Sequence, residues 1–120
     1  KNILLSIGTA DKLIFKRNFF DIILYGFCLY LCDKKNYNQI SYSANRVLNK
    51  KGKILIHDFY ATKEHIVPYK HHSKVFSFKT DFSKIFERNF NLKKLLFLKS
   101  KEKKIKNTDN KTVLFILDKK

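Results

Sequence analysis

The chain has 120 residues, of which 44% are hydrophobic, and its formal net charge is +16. That length allows one domain with a real core, and the apolar content excludes a chain that is disordered throughout. With only three glycines, the sequence has no glycine-rich phosphate or dinucleotide loop. Because Met is absent and the first residue is Lys1, we interpret the chain as an excerpt of a longer sequence.

The positive charge has two interpretations. It is typical of proteins that bind nucleic acid or an anionic membrane, and it also arises from a composition rich in Lys, Asn, Ile and Phe. The lysines are scattered along the chain, and Arg, which contacts nucleic-acid bases better than Lys does, occurs only as Arg17, Arg46 and Arg88. Both observations favour the interpretation that the charge reflects composition. Non-specific nucleic-acid binding by a small basic α/β module therefore stays an alternative.

The location is predicted from what the sequence lacks. Its most apolar stretch, Ile22 to Cys32, is shorter than the roughly 20 residues of a spanning helix, and nothing resembles a secretory signal. Cys28 and Cys32 do not make a disulfide framework. We expect a cytoplasmic protein without a membrane partner.

The first part of the chain predicts two strands. Asn2 to Ile7 is a short strand candidate, and Gly8 to Arg17 is a loop with Leu13 and Phe15 as anchors. The almost continuous apolar run from Phe19 to Tyr25 is typical of a strand buried on both faces.

A helix and another strand follow. Asp33 suits an N-cap, Gly52 suits a C-terminal cap, and Lys53 to Tyr60 reads as a second buried strand. Residues at helical spacing define one apolar face: Tyr37, Ile40, Ala44, Val47 and Leu48. Three polar residues are expected to point away from that face: Lys34, Asn38 and Arg46. Strand, helix and strand form the unit that builds parallel sheets.

The last part predicts a long loop, a short helix and two strands. Ala61 to Lys79 is expected to be a loop, and Thr80 or Asp81 caps a helix that buries Phe82, Ile85 and Phe86. The strands Leu92 to Lys99 and Thr112 to Asp118 are joined by a polar turn, Ser100 to Lys111, and should pair antiparallel.

The second apolar strand ends in polar and aromatic residues. His57, Asp58, Phe59 and Tyr60 stand where open α/β sheets bind ligands, beyond the carboxyl ends of the strands. The sequence therefore predicts part of a binding site there.

Three segments in order carry a resemblance: GTADKLIF (8–15), FFDIILYGFCLYLCD (19–33) and RVLNKKGKILIHDFY (46–60). Together they resemble the second half of a class I S-adenosylmethionine-dependent methyltransferase of the type 11-like group, over Ser6 to Tyr60. The resemblance implies a Rossmann-like α/β sheet, truncated at its N-terminus and ending in an antiparallel pair. Residues 1–120 would then be a partial methyltransferase domain, family strands three to seven, with strand four at a sheet edge.

The resemblance implies S-adenosyl-L-methionine as cofactor and assigns residues to it. The implied cofactor-binding residues are Thr9, Ala10 and Asp11 around the adenine, Tyr25, Gly26 and Phe27 near the sulfonium, and Leu29. Asp58, Phe59 and Tyr60 would face the methyl acceptor, with His57 or Asp58 as an optional catalytic base. Tyr69, His71 and His72 would form a lid over the unknown acceptor.

Several features depart from the family. Thr9 replaces the adenine-contacting acid, and the glycine-rich loop and the ribose-binding acid are not among these residues. We therefore expect that methyl transfer needs a further N-terminal part of the domain, and a non-catalytic remnant stays another alternative. The histidines and Cys28 and Cys32 predict no metal site, because cysteines in apolar sequence behave as small hydrophobes.

Overall fold

The computed structural model describes residues 2–98 and 111–120, which contain a four-stranded mixed sheet and a two-stranded sheet. The strands of the larger sheet are β1 (Phe20–Gly26), β2 (Leu48–Phe59), β5 (Phe90–Phe97) and β6 (Thr112–Lys119). The smaller sheet consists of β3 (His65–Pro68) and β4 (Phe76–Lys79). The helix α1 spans Tyr37–Val47, and short 3-10 helices cover Leu29–Leu31, Lys34–Asn36 and Phe82–Phe86.

The larger sheet has the strand order β1-β2-β6-β5. β1 and β2 are parallel and joined through α1, whereas β6 pairs antiparallel with both β2 and β5. This confirms the predicted α/β fold with a closing antiparallel pair. β1, the strand expected to correspond to family strand four, lies at the edge of the sheet as predicted.

One face of the sheet carries the core. Ile54 and Ile56 alternate along β2 with half-buried residues, because side chains of a strand point to opposite faces in turn. α1 and the 3-10 helix Phe82–Phe86 supply the opposite side of the core. Its fully buried hydrophobic members are Leu29, Ile40, Ala44, Val47, Leu48, Ile54, Ile56, Phe82, Phe86, Phe90, Val113, Phe115 and Leu117. The predicted apolar face of α1 is therefore confirmed.

The other face of the sheet is open. Ile22 and Leu24 of β1 are 56% and 62% exposed, and Leu55, Leu114 and Ile116 beside them are only partly buried. The prediction that this strand is buried on both faces was wrong, because no element of residues 2–98 and 111–120 covers this side.

The helix ends earlier than predicted. α1 stops at Val47, and Gly52 lies inside β2, at an irregularity where the pairing with β1 shifts between Phe20 and Ile22. A Cβ on Gly52 would lie 2.9 Å from the Leu48 side chain, so glycine is needed there for close approach. The helix end is instead satisfied by Lys119, whose Nζ donates to the carbonyl oxygens of Asn45 and Leu48 at 2.6 and 2.8 Å.

Two further predictions differ from the structure. Asn2 to Ile7 is not a strand: its apolar side chains are exposed, Ile3 by 81% and Ile7 by 100%, because no described strand offers it a ladder. The predicted loop Ala61 to Lys79 contains the antiparallel hairpin of β3 and β4. These strands have four residues each, too few for a clear alternation of apolar and polar positions.

The C-terminal elements agree with prediction. Asp81 caps the 3-10 helix, and its Oδ1 accepts from the backbone N–H of Ser83 at 3.1 Å. β5 and β6 pair antiparallel as expected. Two predicted features lie outside the described residues: the end of the strand at Lys99 and the polar turn Ser100 to Lys111, of which only Lys111 is described. No helix in the part of the chain that the structure describes is long and apolar enough to cross a bilayer.

Candidate functional site

The carboxyl ends of β1 and β2 lie side by side because the two strands are parallel. Gly26 at the end of β1 pairs with His57, and the N–H of Phe27 donates to the carbonyl oxygen of His57 at 2.8 Å. Phe27 has φ 46°, a left-handed conformation that is uncommon for a bulky residue. The chain thus turns sharply at the point where the sequence predicted a site.

Asp58 holds the loop that follows β1. Its carboxylate is fully buried, and Oδ2 accepts from the backbone N–H groups of Cys28 and Leu29 at 3.2 and 2.9 Å. Oδ1 accepts from the N–H of Phe59 at 2.8 Å. Burial raises the pKa of Asp58 to about 6, although these backbone hydrogen bonds work to lower it. The side chain therefore faces the interior and fixes the loop, with no surface of its own open to a ligand.

A chain of ring contacts surrounds this turn. Phe27 lies 4.6 Å from His57 and 5.3 Å from Phe59, measured between ring centroids. Tyr30 continues the series, 4.9 Å from Phe59 and 6.1 Å from Tyr69. We call the following residues the aromatic cluster: Phe27, Tyr30, His57, Phe59, Tyr69 and His71, the last 5.4 Å from Tyr69. Four predicted acceptor-site or catalytic residues, His57, Phe59, Tyr69 and His71, are thereby brought together.

The remaining predicted acceptor residues lie elsewhere. The ring of Tyr60 packs on Phe97 and Phe115, at 5.5 and 6.1 Å, which is outside the aromatic cluster. His72 lies in the turn of the β3–β4 hairpin, where its Nδ1 accepts from the N–H of Lys74 at 3.3 Å. In residues 2–98 and 111–120, no three His, Cys, Asp or Glu side chains come together as metal ligands.

Two members of this region were not predicted from the sequence. Tyr30 joins the two halves of the aromatic cluster, and desolvation together with a hydrogen bond to Tyr69 raises the pKa of its phenol to about 12. Lys79 is 5% exposed, with Nζ 3.3 Å from the ring centroid of Phe59. Such cation–π contacts are stronger when desolvated. No local sequence pattern signals either residue, because their partners are distant along the chain.

A cavity of about 280 Å³ lies between β1 and the preceding loop. Thr9, Ala10 and Tyr25, all predicted to bind the cofactor, line it together with Cys28. The loop residues 6–10 and 12–15 complete most of its wall. Asp11, Gly26, Phe27 and Leu29, also predicted to bind the cofactor, are not part of its lining.

The chemistry of the cavity fits one end of the expected cofactor. It is mostly apolar, with backbone groups of a tight turn in which Lys12 N–H donates to Thr9 O at 3.2 Å. The hydroxyl of Tyr25 is buried and has no hydrogen-bond partner within the described ranges. A cavity near the lower limit for ligand sites, about 300 Å³, has room for an adenine end. The residues present therefore fit the nucleoside part of S-adenosylmethionine.

The loop that forms this cavity is clamped by α1. Arg46 donates to the carbonyl oxygens of Phe15, at 2.6 Å, and Leu13, and Ser43 Oγ donates to Asp11 O at 2.8 Å. Arg46 points away from the apolar face, as predicted, but is half-buried against the loop. Leu13 and Phe15 are anchored as predicted: Arg46 binds both carbonyl oxygens, and the ring of Phe15 also packs on Phe19 and Phe20.

We expect Arg46→Ala to loosen the cavity loop selectively. Loss of two hydrogen bonds from a charged donor should cost about 2 kcal/mol locally. Hydrogen exchange should become faster at residues 9–16 and stay unchanged in β2. The exposed Arg88, replaced by Ala, is the matched control and should change neither region. Equal acceleration in β2 would mean that Arg46 supports the helix rather than the loop.

Comparison with solved structures defines the class of fold. No protein-family model and no curated protein sequence matches the chain. The described architecture is nevertheless that of the Rossmann-like methyltransferases, the class I fold of S-adenosylmethionine-dependent enzymes.

Individual structures give the extent of the match. The chain is similar to a Pyrococcus horikoshii protein, with 16% identity and a TM-score of 0.71 over 99% of this chain and 60% of that one. It is similar to the Burkholderia thailandensis 1,6-didemethyltoxoflavin-N1-methyltransferase, with 13% identity and a TM-score of 0.74, over 92% and 48%. It is also similar to a Methanosarcina mazei S-adenosylmethionine-dependent methyltransferase, with 14% identity and a TM-score of 0.70. That match covers 95% of this chain and 66% of the other. The chain thus spans about half to two thirds of these proteins.

Proposed function

We propose that this chain takes part in S-adenosylmethionine-dependent methyl transfer to an acceptor yet to be identified. One observation carries the proposal: Thr9, Ala10 and Tyr25 line a single cavity at the end of β1 in a methyltransferase fold. When bound, the cofactor supplies an electrophilic methyl group on a sulfonium. The type 11-like assignment stays a prediction, because no family model supports it.

In this proposal, residues of this chain would bind the cofactor and orient its methyl group. Thr9 and Ala10 would flank the adenine, with Asp11 behind them in the same turn. Gly26 and Phe27 would border the sulfonium side, because the chain turns there from β1 toward His57. Leu29 is fully buried below that turn, so its proposed part is to support the loop rather than to touch the cofactor.

The aromatic cluster would hold the acceptor. Phe59, Tyr69 and His71 present rings at the carboxyl ends of the strands, and such rings stack on planar or apolar groups. His57 is half-buried beside Phe27 and is the better placed candidate to accept a proton. Asp58 would position the loop through the N–H groups it binds. Tyr60 and His72 would contact only a larger acceptor that extends beyond the aromatic cluster.

The proposed activity requires more than these residues. A glycine-rich loop and a ribose-binding acid are not present in the sequence, and the chain spans 48% to 66% of the methyltransferases it matches. We propose that a segment supplying them completes the site, either in the same polypeptide or in a partner. Without it, the chain is expected to be inactive.

We expect the 120 residues to bind S-adenosylhomocysteine only weakly, with a dissociation constant on the order of 1 mM, about −4 kcal/mol. Saturation-transfer NMR should show contact with the adenine protons, and calorimetry at micromolar concentration should show no heat. Ala10→Leu narrows the cavity and should abolish the NMR signal. Ser73→Leu, on an exposed turn, is the matched control and should preserve it.

Two results would contradict the proposal. Micromolar affinity for the chain alone would mean that the main anchoring groups lie elsewhere in these residues. A signal that survives Ala10→Leu, or no adenine contact at millimolar ligand, would remove the cavity as the nucleoside site.

A further inference from the structure

Two cysteines bracket the turn after β1. Cys28 and Cys32 are the only cysteines of the sequence, and they precede and follow the 3-10 helix Leu29–Leu31. The backbone N–H of Cys32 donates to Leu29 O at 3.0 Å, and its thiol donates to Cys28 O at 3.4 Å. The Cys32 thiol therefore folds back across the turn and lies beside the backbone of Cys28.

The surroundings shift the pKa values of the two thiols in opposite directions. The hydrogen bond from the Cys32 thiol lowers the pKa of Cys28 to about 7, against the opposing effects of burial and the Asp58 carboxylate. The same contact raises the pKa of Cys32, as does burial. At neutral pH Cys28 is the thiolate-forming partner, and Cys32 keeps its proton. Both residues are only partly buried, so a small reagent can reach them.

Cys28 belongs to the wall of the cavity between β1 and the loop. Its N–H is fixed by Asp58 Oδ2 at 3.2 Å, so the backbone at this point is held while the side chain is free to change partner. A new covalent bond at Cys28 Sγ would therefore change the wall of this cavity.

We propose that Cys28 and Cys32 form a reversible intramolecular disulfide when a small peroxide oxidises them, and that this changes the cavity wall. Cys28 is the attacking residue and Cys32 the resolving residue. A disulfide needs Cα atoms about 4.4–6.8 Å apart, so the proposal requires the two residues that flank this short turn to come within that range. Cys32 Sγ already lies 3.4 Å from the carbonyl oxygen of Cys28, so the Cys32 side chain is directed back toward its partner before oxidation.

The chemistry is balanced with hydrogen peroxide as the oxidant. The Cys28 thiolate attacks one peroxide oxygen, the O–O bond breaks, and hydroxide leaves, so Cys28 becomes a sulfenic acid. The Cys32 sulfur then attacks the Cys28 sulfur, the S–O bond breaks, and hydroxide leaves with the thiol proton as water. Overall two thiols lose two electrons and two protons, and one peroxide becomes two waters.

Intact-mass measurement of the whole chain tests the site independently of methyl transfer. Dilute chain treated with hydrogen peroxide should lose the mass of two hydrogen atoms, and dithiothreitol should restore it. Cys32→Ser should stop at a sulfenic acid on Cys28 that dimedone traps. Cys28→Ser should react much more slowly at Cys32. Two unmodified thiols, disulfide-linked dimers alone, or equal sulfenic acid yields in both variants would overturn the proposal.

The effect on the cavity rests on the proposed function and has its own measurement. Adenine saturation transfer from S-adenosylhomocysteine should weaken after oxidation and return after reduction. The Cys28→Ser, Cys32→Ser double variant should bind equally before and after peroxide. A disulfide that forms without altering the NMR signal would overturn the link to the cavity but not the disulfide site. Absence of ligand signal even in the reduced chain would instead count against the proposed function.

Discussion

Asp58→Ala should lower the free energy of unfolding by on the order of 3 kcal/mol, because it leaves buried N–H groups without acceptors. The groups concerned belong to Cys28, Leu29 and Phe59. Urea denaturation measures the change. Asp33→Ala is the matched control, since that carboxylate is exposed and has only a surface contact with Lys35 at 3.9 Å. A loss for Asp58→Ala no greater than the control's would mean that the loop finds other acceptors.

The raised pKa of Asp58, about 6, adds a pH dependence to this prediction. An unfolded Asp titrates near 3.9, so between about pH 4 and 6 the folded state binds more protons than the unfolded state. Stability from this group is therefore highest at low pH and declines as pH rises, by up to about 3 kcal/mol. Asp58→Asn lacks the titration, so the wild type should lose about 2 kcal/mol of stability relative to Asp58→Asn between pH 4 and 7. If the free energies of unfolding of the wild type and Asp58→Asn differed by the same amount at every pH, burial would not raise the pKa of Asp58.

The chain on its own should self-associate through β1. β1 is an edge strand, and one of its faces is open, with Ile22 56% exposed. Asp21 is the one charged residue in the strand. The other edge strand, β5, carries Lys93 and Lys94, which discourage edge pairing. The net charge of +16 opposes association but does not satisfy the unpaired backbone groups of β1.

Ile22→Lys should convert the associated chain to a monomer, as measured by light scattering. Tyr42→Lys is the matched control: Tyr42 is 60% exposed on α1, and its replacement should leave association unchanged. A monodisperse wild-type monomer whose β1 amides resist hydrogen exchange would show that β1 is covered in solution. Ile22→Lys also provides a monomeric background for the unfolding measurements on Asp58.

The strands of the larger sheet and the apolar face of α1 were predictable because their signals are local. Almost continuous apolar runs marked β1 and the second half of β2, and helical spacing marked Ile40, Ala44 and Val47. The end of α1 was misplaced because Gly52 resembles a helical cap, whereas the carbonyl oxygens there are bound by Lys119, far along the chain. That contact leaves no trace in the sequence around residue 50.

The site was predictable only in part, for the same reason. Polar and aromatic residues after β2 marked its position, and the resemblance to methyltransferases marked the loop at Thr9 and Ala10. Which way each side chain faces depends on strand parity: Asp58 falls on the buried face and His57 on the open one. The clamp by Arg46 and the placement of Lys79 against Phe59 join distant segments, so spacing cannot reveal them.

The strand order has a consequence for how the chain is assembled during synthesis. β2 pairs with β6, and the ion pair between Lys53 and Asp118 joins residues 65 positions apart. While the ribosome is still making the intervening residues, β2 has β1 beside it and an open ladder on its other side. The pairing of β2, one of the two central strands of the sheet, is therefore completed late. Until β6 emerges, the nascent chain offers a place where a chaperone or a neighbouring nascent chain can pair.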